Sequence, residues 1–170
     1  RRRRGQSAHP EVRAVTSMQI LQADASHLAD LSTMIREYWT ELGPELPLLK
    51  DEPAFEAEFS SLFDFSIAGR GAKIVLDDDQ PVGFVVYFLV DDNQAMMIQE
   101  FYIRPEARLQ GFGRAVAEGL IAEVLEIGVR LVGLNVAAFN TGALSFWKAL
   151  DFGINQYGMV RRWPSSGSKD

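Results

Sequence analysis

Three apolar segments follow one another at short intervals in the middle of this chain, residues 72–76, 82–90 and 96–103, separated only by Asp77 to Pro81 and Asp91 to Asn93. Gaps of that length cannot hold a crossover, which needs a dozen or more residues, so consecutive segments must run antiparallel as hairpins. A meander needs cover on at least one face, and helical patterns lie on both sides of it in the sequence. The 170 residues are 47% hydrophobic, enough for the core of a single domain.

Upstream, Ser17 to Gln22 alternates as a short opening strand. Leu28, Leu31, Ile35, Tyr38 and Leu42 then recur at three-and-four spacing, with Asp24 or Ser26 as the cap and Gly43-Pro44 as the stop. Pro44 to Asp51 reads as a loop. A second helix follows, with Pro53 in its first turn and Phe55, Phe59, Leu62 and Phe63 as core, and Gly69 and Gly71 are expected to end it. Downstream, residues 104–110 form a polar connection, and residues 111–127 place Val116, Leu120, Val124 and Ile127 on one helical face before Gly128 closes the helix. Leu131 to Val136 reads as a buried strand, Thr141 to Leu150 as a short helix and Tyr157 to Arg162 as a final strand. The order makes an α+β domain over residues 18–164 with a βαβ unit near its middle. Residues 165–170 are expected to be a flexible tail.

The chain has no cysteine, which removes disulfides, thiolate metal sites and acyl-cysteine intermediates together. Its two histidines, His9 and His27, are placed at one end and on the first helix, so no metal site is expected; His27 suits a solvent-facing or capping position better than a base. Net charge is -6, and residues 1–17 carry five of the arginines and one glutamate, so the body from Met18 onward is more acidic still. An acidic body opposes phosphate backbones and favours small cationic partners, which leaves nucleic acid out of the expected partners. Residues 1–17 are expected to be a basic extension upstream of the natural or ancestral start at Met18. No signal-like apolar stretch follows the arginine run and no apolar run nears the ~18 residues of a membrane span, so the expectation is a cytoplasmic protein without a membrane partner. The aspartates at 77–79 and at 91–92 suit hairpin turns better than a cation site.

The most informative stretch is Gln99 to Ala115, where a strand enters a glycine-bearing turn and then a helix. Amides at such a turn face outward at the positive end of the helix dipole and form a cradle for phosphate. A dinucleotide fingerprint would need a small residue where Val116 stands, and a triphosphate loop would need Lys and Ser or Thr after its glycine; neither is present. Arg108, two residues, Gly111, one residue, Gly113 resembles the acyl-CoA signature of the GNAT (GCN5-related N-acetyltransferase) family. Its setting after Glu100 to Ile103 and Pro105, and the later Leu134 to Val136, Asn140, Ala143, Phe146, Trp147 and Leu150 to Phe152, are similar as well.

That resemblance implies a GNAT-like fold, with a mixed, mostly antiparallel central sheet of six to seven strands and helices on both faces. It implies acetyl-CoA as co-substrate, its pyrophosphate held by the amides of Leu109, Gln110, Gly111, Phe112, Gly113 and Arg114 beside Arg108. The strand of Phe101, Tyr102 and Ile103 would pair through its main chain with the pantetheine arm. Asn140 would bond the arm near its thiol, and Phe146 and Trp147 would wall it. The family commonly has tyrosine at the position of Trp147 as acid for the leaving thiolate, so Tyr157, water or unassisted departure must serve. Asp151 stands where glycine is usual.

An amine must lose its proton before it attacks, and Glu100, at the end of the central strand, is the candidate base; orienting the amine or solvating the strand edge are open alternatives. Tyr38, Trp39 and Glu41, with Glu45, fall where the family builds its acceptor pocket, though aromatics at helical spacing equally suit a core. The expected function is direct transfer of acetyl from acetyl-CoA to a primary amine of a small cationic molecule. A non-catalytic acyl-CoA sensor and a protein amino-group acetyltransferase are the alternatives, and a homodimer is compatible with all three.

Overall fold

The computed structural model describes residues 18–43, 49–90 and 94–159, which fall into two compact units, one through Asn135 and one from Val136. The basic extension, the tail beyond Met159, Glu45 and Asp91–Asn93 lie outside the described residues.

In the first unit β1 (Met18–Gln22) leads into α1 (Leu28–Leu42), then α2 (Glu52–Leu62), β2 (Arg70–Asp77), β3 (Gln80–Val90), β4 (Ala95–Ile103), α3 (Phe112–Glu126) and β5 (Leu131–Leu134). The sheet order follows the sequence, β1-β2-β3-β4-β5; the first three pairings are antiparallel and β4–β5 is parallel. The meander therefore stands as expected. Asp78 and Asp79 form the two-residue loop between β2 and β3, both with positive φ (48° and 63°), as a type I′ turn requires.

Local chemistry sets the helix ends. Asp24 caps a single 3-10 turn, Ala25–His27, in a reciprocal capping box with His27, which places His27 in the cap. Asp51 caps α2 through the Ala54 amide, with Pro53 in the first turn. Contrary to the expectation that Gly69 and Gly71 would end it, α2 stops at Leu62, capped by Phe63, because Asp64 turns the chain there by accepting from the amide and hydroxyl of Ser66.

One face of the sheet packs Ala72, Ile74, Phe84, Val86 and Tyr102 against Leu31, Met34, Ile35 and Trp39 of α1 and Phe55, Phe59 and Leu62 of α2. The Phe55 and Phe59 rings stack at 6.0 Å and Trp39 meets Phe55 edge-on at 5.6 Å. The opposite face meets α3, where the buried Lys73 on β2 pairs with Glu123 at 2.8 Å.

The β3–β4 ladder holds one irregularity. Val86 pairs with Glu100 but Tyr87 pairs with Ile98, so Gln99 is an extra residue on β4. Cross-strand partners share a face, so the bulge reverses the alternation: Met96 and Ile98 lie on the α3 side, Glu100 and Tyr102 on the α1 side.

The second unit contains α4 (Thr141–Lys148), capped by the Asn140 side chain on the Ala143 amide at 3.0 Å. Its exit is a Schellman arrangement: Phe152 N–H donates to Trp147 O and Asp151 N–H to Lys148 O, both at 3.1 Å, with Asp151 at φ 63°. The Phe152 ring closes on Trp147 at 5.0 Å. The expected final strand is corrected here: Tyr157–Met159 belong to no strand, their side chains being solvent-exposed with no buried face to pack, and residues 160–162 are outside the described ones. The sheet accordingly has five strands among the described residues, not six or seven.

Candidate active site

β4 runs directly into the site. Its pairing with β5 ends at Ile98, whereas its pairing with β3 continues to Ile103. Arg104 N–H donates to Val82 O at 2.8 Å, toward β3. By alternation the main-chain groups of Ile103 and Phe101 are directed to the other edge, where the β5 ladder has ended.

Beyond Ile103 a 3-10 turn over Pro105–Ala107 leads through an extended Arg108 to Leu109, whose φ is 61°, and to Gly111, whose φ is 94°. The helix α3 starts at Phe112, and Ala115 N–H donates to Gly111 O at 3.0 Å, closing its first turn. The amides of Phe112, Gly113 and Arg114 precede that first bond, and the N-cap residue, Gly111, supplies no side-chain bond to them. Leu109, Gln110 and Gly111 are exposed, and a Cβ added at Gly111 would meet nothing within 4 Å. A glycine in the left-handed region, open space above it and the positive end of a 15-residue dipole together suit an anion as large as a diphosphate. Of these residues Phe112 has its side chain in the core, so only its main chain faces the turn.

Two arginines pin this connection to α1. Arg104 gives Nε and Nη2 to the two Glu37 oxygens, both at 2.9 Å, and Nη1 to Pro81 O at 2.8 Å. Arg108 gives Nη1 and Nη2 to Glu41 at 2.8 and 2.6 Å and Nε to Ile103 O at 2.8 Å. Glu37 and Glu41 are one helical turn apart, so the pairs stack. Beside them Glu37, Thr40, Glu41, Tyr102, Arg104, Pro105 and Glu106 line an open cleft of about 560 Å³.

Glu100, brought to the α1 side by the bulge, is largely buried. Burial pushes its carboxyl up to about 7, with the Glu58 charge adding to the rise, while side-chain hydrogen bonds with Tyr38 and Trp39 oppose it. The Tyr38 ring lies 5.4 Å from Tyr102, and burial together with the Glu100 charge pushes its hydroxyl well above the usual tyrosine range, so it remains a donor at neutral pH. A carboxylate that titrates near 7 beside an open strand edge can exchange a proton with an amine at neutral pH.

The structure thus gathers Glu100, Tyr38 and Trp39 at one point and Arg108 to Arg114 at another within the first unit. Trp39 is 6% exposed and belongs to the core, and Glu41 is engaged by Arg108. In the second unit Trp147 is buried with Phe146 4.9 Å away, Asn140 serves as the α4 cap, and Tyr157 is 83% exposed outside any regular element. Sequence reasoning missed Glu37 and Arg104. The four-residue spacing of Glu37 to Glu41, matched by Arg104 to Arg108, is the signal that could have found them. Among the described residues no group of His, Cys, Asp and Glu could hold a metal ion, and no helix is long and apolar enough to cross a membrane.

The acetyltransferase (GNAT) family model matches residues 29–152. The chain has no match among curated proteins. Solved structures share its fold: an integron cassette protein from the mobile metagenome of V. cholerae is 18% identical, covering 89% of this chain and 94% of its own, with a TM-score of 0.68. An aminoglycoside N-acetyltransferase solved with CoA is 17% identical, covering 86% and 95%, with a TM-score of 0.67. A ribosomal-protein-alanine N-acetyltransferase from Brucella melitensis biovar Abortus 2308 is 14% identical, covering 86% and 100%, with a TM-score of 0.66.

Proposed function

From the premise that the chain belongs to the acetyltransferase (GNAT) family, we propose that it moves an acetyl group from acetyl-CoA to the primary amine of a small cationic molecule. The observation that carries this reading is the start of α3 behind a glycine N-cap, Gly111, in the left-handed region, directly after a strand edge that β5 leaves at Ile98.

In this reading the amides from Leu109 to Arg114 hold the diphosphate, and the outward main chain of Phe101 and the N–H of Ile103 pair with the pantetheine arm as an added strand, the Ile103 carbonyl being held by Arg108. An amide N–H of that edge donates to the thioester oxygen as negative charge grows on it. Glu100 takes the proton from the ammonium, directly or through water, leaving the nitrogen lone pair to form the C–N bond as the C–S bond breaks. The electron pair departs with the thiolate, a fair leaving group with a thiol pKa of about 8.5 for the cysteine analogue, and the thiolate takes, through water, the second proton that the new amide nitrogen sheds. Both substrates are held together and no acyl-enzyme forms.

The cationic character of the acceptor is supported by the acidic body and by Glu106 on the cleft, Glu37 and Glu41 there being paired with Arg104 and Arg108. The aminoglycoside N-acetyltransferase among the structural neighbours agrees with such an acceptor. Trp147, where the family commonly carries tyrosine, favours a second reading as an acyl-CoA sensor. Calorimetry with CoA and acetyl-CoA, followed by thiol release over a panel of polyamines and amino sugars, separates the two. Acceptor-dependent release supports the enzyme, saturable binding without release supports the sensor, and no binding of either nucleotide removes both.

A further inference from the structure

We propose that Arg108 acts as a positioning residue, locked by Glu41 so that it sets the Leu109–Gly111 turn instead of gripping the diphosphate with its own charge. The inference rests on the acetyl-CoA reading above and concerns how that site is held in shape.

The geometry points away from the anion. The Arg108 guanidinium meets Glu41 fork to fork at 2.8 and 2.6 Å, and its third engaged nitrogen, Nε, reaches Ile103 O at 2.8 Å. This planar group has five N–H bonds in fixed directions, so three simultaneous partners fix its plane and its tether. The same group lies 5.7 Å from the Tyr102 ring centroid. Arg104, at the other end of the Pro105–Ala107 turn, repeats the pattern with Glu37 and Pro81 O. The connector from strand to phosphate turn is therefore nailed at both ends to successive turns of α1 and to main-chain carbonyls. The Ile103 carbonyl, on the open edge of β4, is already taken by Arg108, so the arginine also marks where strand-like pairing along that edge stops.

The two roles predict opposite signs for one substitution. A carboxylate next to an anion site repels the anion, so if Arg108 gripped the diphosphate, Glu41→Gln would release the guanidinium and tighten CoA binding. If Arg108 positions the turn, the same change loosens the turn and weakens binding. Calorimetry with CoA alone, without amine, reads this directly. We expect the Kd of E41Q to rise about tenfold, as for loss of a charge-assisted hydrogen bond. The KM for acetyl-CoA should rise in parallel, while kcat at saturating acetyl-CoA moves less than about threefold, as for lost uniform binding. R108K, whose single ammonium cannot span Glu41 and Ile103 O together, should weaken CoA binding likewise, with far-UV circular dichroism confirming that both variants fold. Unchanged or tighter binding by E41Q, or wild-type affinity in R108K, overturns the proposal. A wild-type protein that binds no CoA sinks the acetyl-CoA reading itself, a distinct result.

Discussion

Tyr38 on α1 and Glu100 on β4 share a hydrogen bond between a hydroxyl and a carboxyl that burial keeps from ionising until about pH 7. The tyrosine stays protonated and so always offers a proton to the pair, whereas the glutamate changes state near neutrality. The titration of this pair follows Glu100 alone.

A base must be ionised to accept a proton, so kcat/KM is expected to fall as pH drops through about 7. Glu100→Gln should lower turnover by about 10²- to 10⁴-fold and abolish that limb. A pH–rate profile for both proteins checks this, and an acid limb that persists in E100Q would assign it to another group.

The same group has a stability signature. Its folded pKa, about 7, lies above its unfolded value of 4.5, so the folded state holds the proton more tightly and stability falls as pH rises between those values. Above that window the buried charge is a net cost. E100Q should therefore flatten the profile and be more stable than wild type at pH 8 by about 1–3 kcal/mol, as urea unfolding at several pH values would measure.

Gly111 has room for a Cβ but not the backbone for one. Gly111→Ala should cost about 1–2 kcal/mol through left-handed strain alone, and that strain should be relieved by a shift of the turn. CoA affinity is then expected to fall several-fold more than stability alone would imply. Paired calorimetry and thermal melts test it, and wild-type affinity in this variant would mean that the turn does not hold the ligand.

Asp151 offers the opposite case, a non-glycine in the C′ position of a Schellman exit at φ 63°. Asp151→Gly is expected to stabilise the protein by about 0.5–1 kcal/mol, and Asp151→Val to destabilise it by more. Denaturant midpoints would show the order Gly, Asp, Val.

The meander, the helices and the glycine turn ahead of α3 could be read from the sequence because each is specified locally, by short acidic turns, by three-and-four apolar spacing and by Gly111 at a helix start. Trp39 and Tyr38, adjacent in sequence, could not be sorted, since helical spacing alone does not say which aromatic enters the core and which borders the cleft. The Glu37–Arg104 and Glu41–Arg108 pairs span 67 residues each and become visible only when α1 lies beside β4. The final strand failed because Tyr157 and Met159, its described apolar residues, have no buried face to pack on. Periodicity also misplaces Glu100, because it takes Met96, Ile98, Glu100 and Tyr102 as one side of a strand that the bulge divides between two.

The surplus residue at Gln99 has a consequence for how this strand can vary. It works like a reading-frame shift in side-chain orientation, turning an ionisable group toward α1 while the residues before it continue to fill the α3 side. Straightening the ladder with Gln99 kept in register would instead put Glu100 on the same side as Ile98, facing the wrong helix. What this point in the chain must hold is the relation between the two halves of the strand, to which the exposed Gln99 side chain contributes little.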